Sequence, residues 1–227
     1  MDKEIMNEIK KLKKYCNTCI VMILVFAAIN LLVNCIWIKI YNEDQEDYVC
    51  SIYTNRIESS YVKYKLELAD SIDKYIQTIA PTSTLNGSKL LDVCEEYMFD
   101  IKLALAQGQI ESHFGTKGMA AKTNSVFNVG AFDKHTTYDK IGKRYVYTHP
   151  DHSIEPYVKL VVEKYMGEDK TELDLLDKYV DKNGKRYASN PKYEEQLLGI
   201  YNRIDEVVNI TEAYDQYKKY KILAQQW

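Results

Sequence analysis

Glu111 is the residue around which this chain can do chemistry. It lies in ALAQGQIESHFG, residues 104–115, near the end of a helix built from small and apolar residues. Gly115 and the loop after it are expected to leave the carboxyl group at the mouth of a cleft. Desolvation disfavours the charged carboxylate and raises its pKa toward working pH, the condition a proton donor for glycosidic cleavage needs. Gln107, one turn earlier on the same side, is placed to orient that carboxyl group and to meet substrate. Gly108 and Ala104, one and two turns before Glu111, let a ligand or another backbone approach this face. The plain alternative is a surface Glu at a helix C-terminus. His113 reads as a groove-wall residue. His135, His149 and His152 have no metal-ligand spacing, so no metal and no cofactor are expected.

The elements around Glu111 follow from caps and periodicity. Ser88 is the expected N-cap of a helix through Leu90, Leu91, Val93, Cys94 and Tyr97. The next helix carries Ile101, Leu103, Leu105, Ile110 and Glu111. A glycine- and asparagine-rich loop, residues 115–133, then turns sharply. Thr136–Tyr138 and Tyr145–Tyr147 read as two short strands around a turn at Gly142. Ser153 caps a helix over 154–166, a further helix covers 172–180, and Asn190-Pro191 opens the last core helix, which ends near Val208. The fold class is therefore mostly α, with one small hairpin.

Residues 19–38, CIVMILVFAAINLLVNCIWI, carry no charge over 20 positions. At about 1.5 Å per residue they span roughly 30 Å, the hydrocarbon thickness of a bilayer. The apolar core is too long for a cleavable signal peptide, and no small-residue cleavage site follows, so an uncleaved signal anchor is expected. Lys10, Lys11, Lys13 and Lys14 precede it; Glu43, Asp44, Glu46 and Asp47 follow. The positive-inside rule then keeps residues 1–18 cytoplasmic and sends residues after about 40 outside, to the periplasm or the cell-wall side. Asn30 and Asn34, one turn apart, offer self-association through this helix. Residues 39–81 read as a helical stalk or linker, with packing back onto the distal domain as the alternative. Pro81 to Ser88 marks a boundary, giving a domain over 82–210 and a helical tail over 211–227.

A net charge of −3 argues against nucleic acid as a partner. Cys16 and Cys19 form a C-x-x-C with no second pair and no nearby His, which does not make a metal or redox site.

AQGQIESHFGTKGMAAKTNSVFNVG resembles the signature of the bacterial glucosaminidase family of autolysins and flagellar-rod hydrolases. That signature is an alanine-rich helix, Glu-Ser-x-x-Gly, and a loop ending in Asn-x-Leu-Phe-Gly. KRYASNPKYEEQLLGIYNRI, residues 185–204, is similar to the family's Tyr-Ala-x-Asp-Pro-x-Tyr motif, and HSIEPYVKLVVEKYM sits where the family has a Ser-Ile-x-x-Tyr helix. The resemblance covers about residues 88–208. It implies a lysozyme-like helical fold and cleavage of β-1,4 bonds in peptidoglycan, endo-N-acetylglucosaminidase in type. Carried across, Glu111 is the general acid and Tyr187 positions substrate. Phe127 and Asn128 line the sugar groove, and Tyr138 joins the substrate-binding set. Many members carry a second carboxylate, usually Glu, in the hairpin; here Asp139 is the nearest substitute. Position 128 is Asn where Gly is common, and His113 stands where Trp is frequent. The missing Glu keeps two alternatives open: a lytic transglycosylase using one Glu, and a catalytically weak wall-binding or assembly protein.

Overall fold

The computed structural model describes residues 3–129, 139–141, 144–167 and 169–226. The chain divides into a unit of residues 1–57 and a unit of residues 58–227. Helix α1 runs over Lys3–Ile79. Its apolar stretch presents large side chains on every side, with Ile23, Phe26 and Trp37 at 67%, 71% and 68% exposure. The 18-residue core of that stretch has a mean hydropathy of 2.7, and none of it is buried. A helix apolar all round and covered by nothing suits hydrocarbon, not water. Asn30 Nδ2 donates to the Phe26 carbonyl at 3.0 Å, so part of its polar capacity is met within its own helix.

The second unit holds the core. The C-terminal turns of α1 belong to it: Leu68, Ala69, Ile72, Tyr75, Ile76 and Ala80 are all buried with α2 and α3. Residues 58–80 are thus part of the globule, the alternative to a free stalk, and the compact unit begins well before residue 82. Helix α2, Gly87–Glu96, is capped by Asn86 and not by Ser88; the Asn86 side chain accepts the Lys89 N–H. Gly87 lets α2 touch α1. Its N–H donates to Asp73 Oδ1 at 2.6 Å, and a Cβ there would lie 2.7 Å from that oxygen and 2.8 Å from the Ala69 carbonyl.

Helix α3, Ile101–Ser112, is capped by Asp100 and is the central element. Ile101 and Leu103 to Gly108 are all buried, so α3 is enclosed on every side by its neighbours. It packs chiefly against α7, Tyr193–Val208. Helix α4 is the single turn Ala120–Thr123. Strands β1, Asp139–Ile141, and β2, Arg144–Val146, pair antiparallel with Ile141 opposite Arg144. The first strand was expected at Thr136–Tyr138, which lies outside the described residues. Just past β2 the hairpin is tied down: Tyr147 N–H donates to the Thr123 carbonyl at 2.8 Å, and Asn124 Nδ2 donates to the Tyr147 carbonyl at 2.8 Å.

Helix α5, Ile154–Leu160, follows a 3₁₀ turn at Pro150–Ser153, and the backbone then widens into a π-helical segment, Val161–Met166. The helix expected over 154–166 is therefore present in extent but changes winding half way. Helix α6, Glu172–Asp177, opens with a Thr171–Asp174 capping box. Asn190-Pro191 does not start α7. Asn190 instead makes a turn, its Oδ1 accepting Lys192 N–H at 3.0 Å and its carbonyl accepting Tyr193 N–H at 3.2 Å, and α7 begins at Tyr193. Helix α8, Ile210–Gln225, folds back, buries Tyr217 and stacks Tyr220 on Tyr64 at 4.8 Å.

Candidate active site

The turn that ends α3 shapes the site. His113 and Phe114 both adopt left-handed backbone, φ +48° and +52°, followed by Gly115 at +83°. Two consecutive non-glycine residues in this region cost of order 1–3 kcal/mol each, and the packing that repays this is visible. Phe114 N–H reaches back to the Gly108 carbonyl at 2.9 Å, and its ring folds over Gly108, where a Cβ would meet it at 3.0 Å. Ser112 is buried and ties the following loop back: its hydroxyl donates to the Val126 carbonyl at 2.5 Å and accepts Gly115 N–H at 2.8 Å. The Ser after Glu111 is thus a structural clamp that ends the helix immediately behind the carboxylate.

Glu111 itself is half-buried. Its Oε1 accepts the Tyr193 hydroxyl at 2.7 Å. Its Oε2 lies 3.3 Å from Asn128 Nδ2, while that same amide nitrogen donates to the Glu111 backbone carbonyl at 2.7 Å. Asn128 holds φ +52°, a conformation Asn tolerates better than most side chains. Position 128 is Gly in many members of the resembled family, and Asn meets the same backbone demand while adding a donor.

Behind Glu111 lies a buried polar network. Gln107 is 0% exposed. Its Nε2 donates to Tyr193 Oη at 3.2 Å, and its Oε1 accepts the hydroxyls of Tyr157 and, at 2.9 Å, Tyr179. Burial pushes the Tyr157, Tyr179 and Tyr193 phenols well above their usual range, so all three are neutral donors at ordinary pH. Tyr187 stacks on Tyr179 at 4.5 Å, with Tyr193 at 5.7 Å, and its hydroxyl is 3.5 Å from the Phe127 carbonyl. The π-helical segment turns Tyr165 into this cluster, 5.3 Å from both Tyr179 and Tyr187. A wide turn next to a site is a familiar use of this winding.

The structure therefore brings Glu111, Gln107, Asn128 and Tyr187 together and separates some roles. Gln107 is sealed from solvent, so it acts through other side chains and does not meet substrate. Phe127 is also 0% exposed and stacks on Tyr157 at 3.9 Å; its side chain supports the groove from behind and does not line it. Asp139 is placed on β1 opposite Val146, and its side chain lies outside the described residues, as does Tyr138. Sequence reasoning missed Tyr193, Tyr157 and Tyr179. Tyr193 closes the Tyr-Ala-Ser-Asn-Pro-Lys-Tyr run that Tyr187 opens. Nothing local marked Tyr157 and Tyr179, which reach Gln107 from 50 and 72 residues away.

A family model described as Glucosaminidase, mannosyl-glycoprotein endo-beta-N-acetylglucosaminidase, matches residues 87–206, more than half of the chain. That span contains every member of the network around Glu111. No curated protein matches the chain.

Proposed function

The chain belongs to the glucosaminidase family, a glycoside hydrolase of the peptidoglycan-degrading kind, and on that basis we propose how it cuts and from where. Glu111 is the general acid. Its Oε–H protonates the glycosidic oxygen as the C1–O bond of a β-1,4 linkage breaks, with endo-N-acetylglucosaminidase specificity. Asp139, on the hairpin strand β1, is the base that activates water on the opposite face of the sugar. Two carboxyl groups separated by room for one water are the inverting arrangement. Tyr187 and Asn128 position the sugar. Residues 19–38 span the membrane with the lysines of 10–14 on the cytoplasmic side, which puts residues 58–227 on the side where the wall lies.

The observation that supports this reading best is the setting of Glu111: a half-buried carboxyl group in the family-matched span, with one oxygen held by a buried tyrosine hydroxyl at 2.7 Å. The test is mass spectrometry of muropeptides released from purified peptidoglycan by the full chain in detergent micelles. Products should carry new N-acetylglucosamine reducing ends. Glu111→Gln should lower their rate of release by about 10²–10⁴-fold. Release near the wild-type rate by that variant would reject the assignment, and anhydro ends in place of reducing ends would identify a lytic transglycosylase.

A further inference from the structure

Gln107 and Tyr193 do more than pack behind Glu111; their hydrogen bonds have a forced direction. Gln107 Oε1 accepts two tyrosine hydroxyls, from Tyr157 on α5 and Tyr179 before α7. An amide with its oxygen so occupied must turn Nε2 toward Tyr193, and Nε2 can only donate. Tyr193 Oη therefore receives a proton from Gln107 at 3.2 Å and has its own proton to give in one direction, to Glu111 Oε1 at 2.7 Å. The reverse amide orientation would strand the protons of Tyr157 and Tyr179 and draw the Tyr193 proton away from a carboxylate.

We propose that Tyr193, aimed by Gln107, is a positioning residue that selects Oε2 of Glu111 as the oxygen carrying the catalytic proton. In a neutral carboxyl group the carbonyl oxygen is the good acceptor and the hydroxyl oxygen a poor one. Asn128 Nδ2 also reaches Oε2, but at 3.3 Å and from an amide nitrogen already donating to the Glu111 backbone carbonyl at 2.7 Å; the shorter Tyr193 bond at 2.7 Å therefore marks Oε1 as the carbonyl and leaves the acid hydrogen to Oε2. When the glycosidic bond breaks, the Oε2 proton moves to the departing sugar oxygen, the C1–O electron pair goes with that oxygen, and Glu111 becomes a carboxylate. Tyr193 keeps its proton throughout. Its bond to Oε1 becomes charge-assisted as the charge appears, and so strengthens in the transition state relative to the ground state.

This has a sign that can be read. A hydrogen bond to the charged form favours that form, so Tyr193 makes Glu111 a stronger acid than its burial alone would. The titratable groups that face Glu111 from packed elements are Tyr193 on α7 and Tyr179 and Tyr187 from the segment before it, with His113 two residues along its own chain. Burial keeps the Tyr179 and Tyr193 phenols neutral over the assay range, so the alkaline limb of activity is assigned to Glu111 itself.

The inference rests on Glu111 being the acid, so the experiment has one arm with substrate and one without. With peptidoglycan, Tyr193→Phe in the full chain should lower kcat about tenfold with little change in KM. It should also move the alkaline limb about one pH unit upward, the size expected for losing a hydrogen bond to a charged group. Without substrate, the 13C-labelled Glu111 carboxyl should titrate about one unit higher in the variant, by NMR. Incorporating 3-fluorotyrosine at position 193, a stronger donor of nearly the same shape, should move both readouts the other way. The position of a limb does not depend on how much variant is folded, so poor folding cannot imitate the shift. An unmoved carboxyl titration in Tyr193→Phe and in the fluorinated protein would overturn the inference. Failure of Glu111→Gln to reduce cleavage would overturn the functional reading instead and leave the carboxyl titration readable.

Discussion

Two helical stretches of this chain are rich in apolar residues, and they meet opposite fates. Residues 20–38 carry large side chains, and from Ile20 to Ile38 every large hydrophobic one is at least 45% exposed. Residues 101–112, IKLALAQGQIES, mix small and apolar residues with polar ones, and Leu103 to Gln107 have no exposure at all. Length, side-chain size and the polar residues of the second separate them. An apolar helix of about 20 residues spans a bilayer, whereas a 12-residue one with Ala and Gly on its faces lets other helices close around it. The second helix also carries Glu111 and Gln107, polar groups that only a protein interior can furnish with partners.

The same substitution in both helices should have opposite consequences. Leu103→Arg puts an unpaired charge where exposure is 0%. It should cost more than about 4 kcal/mol and abolish the cooperative thermal transition of residues 58–227. Leu31→Arg, near the middle of the exposed stretch, should cost about 2.5–3.5 kcal/mol in membrane insertion. It should leave that transition where it is, with the loss read as protein in the soluble fraction. Equal effects of the two on the melting temperature would mean that residues 20–38 are packed against protein.

A smaller effect sharpens the account of how the folded unit is closed. Glu95 on α2 accepts from Lys221 at 2.5 Å and from the Tyr217 hydroxyl, both on α8, and pairs with Lys65 on α1 at 3.1 Å. Burial pushes its carboxyl up, but these three donors outweigh it and leave the pKa below the usual 4.5. A carboxylate held down in this way contributes stability above its unfolded pKa, and that contribution fades as pH falls through the folded value. Glu95→Gln should therefore be less stable than wild type by about 1 kcal/mol at pH 7. The two should converge in acid below pH 4.5, as measured by denaturant titration across pH.

Much of this was legible in the residues, for physical reasons that differ by region. The long apolar stretch announces itself by length and lack of charge, and Glu111 is singled out as the candidate acid by its motif. The mostly helical fold and the hairpin followed from caps and period. Ser153 stands as the N-cap of α5, but two other caps lie two residues from where they were expected: Asn86 caps α2 in place of Ser88, and Asn190-Pro191 forms a turn ahead of Lys192. Residues 58–80 were open between stalk and core because their spacing of Leu68, Ile72 and Ile76 fits either; only the arrival of α2 and α8 decides. Gln107 was legible as a neighbour of Glu111 but not as a sealed relay. Its partners come from Tyr157, Tyr179 and Tyr193, and no local pattern announces contacts over 50 to 86 residues.

The run of α1 into the core fixes where this protein tolerates being cut. Leu68, Ile72, Tyr75 and Ile76 are enclosed by α2, α3 and α8, and Tyr75 donates to Gln109 at 2.5 Å, two residues from Glu111. A protease that nicks the exposed segment between residues 43 and 57 would leave Leu68 to Ala80 attached to the folded unit they support. A nick after Ile76 would instead sever those supporting residues from the rest of the fold, so release and inactivation are separated by about twenty residues of helix α1.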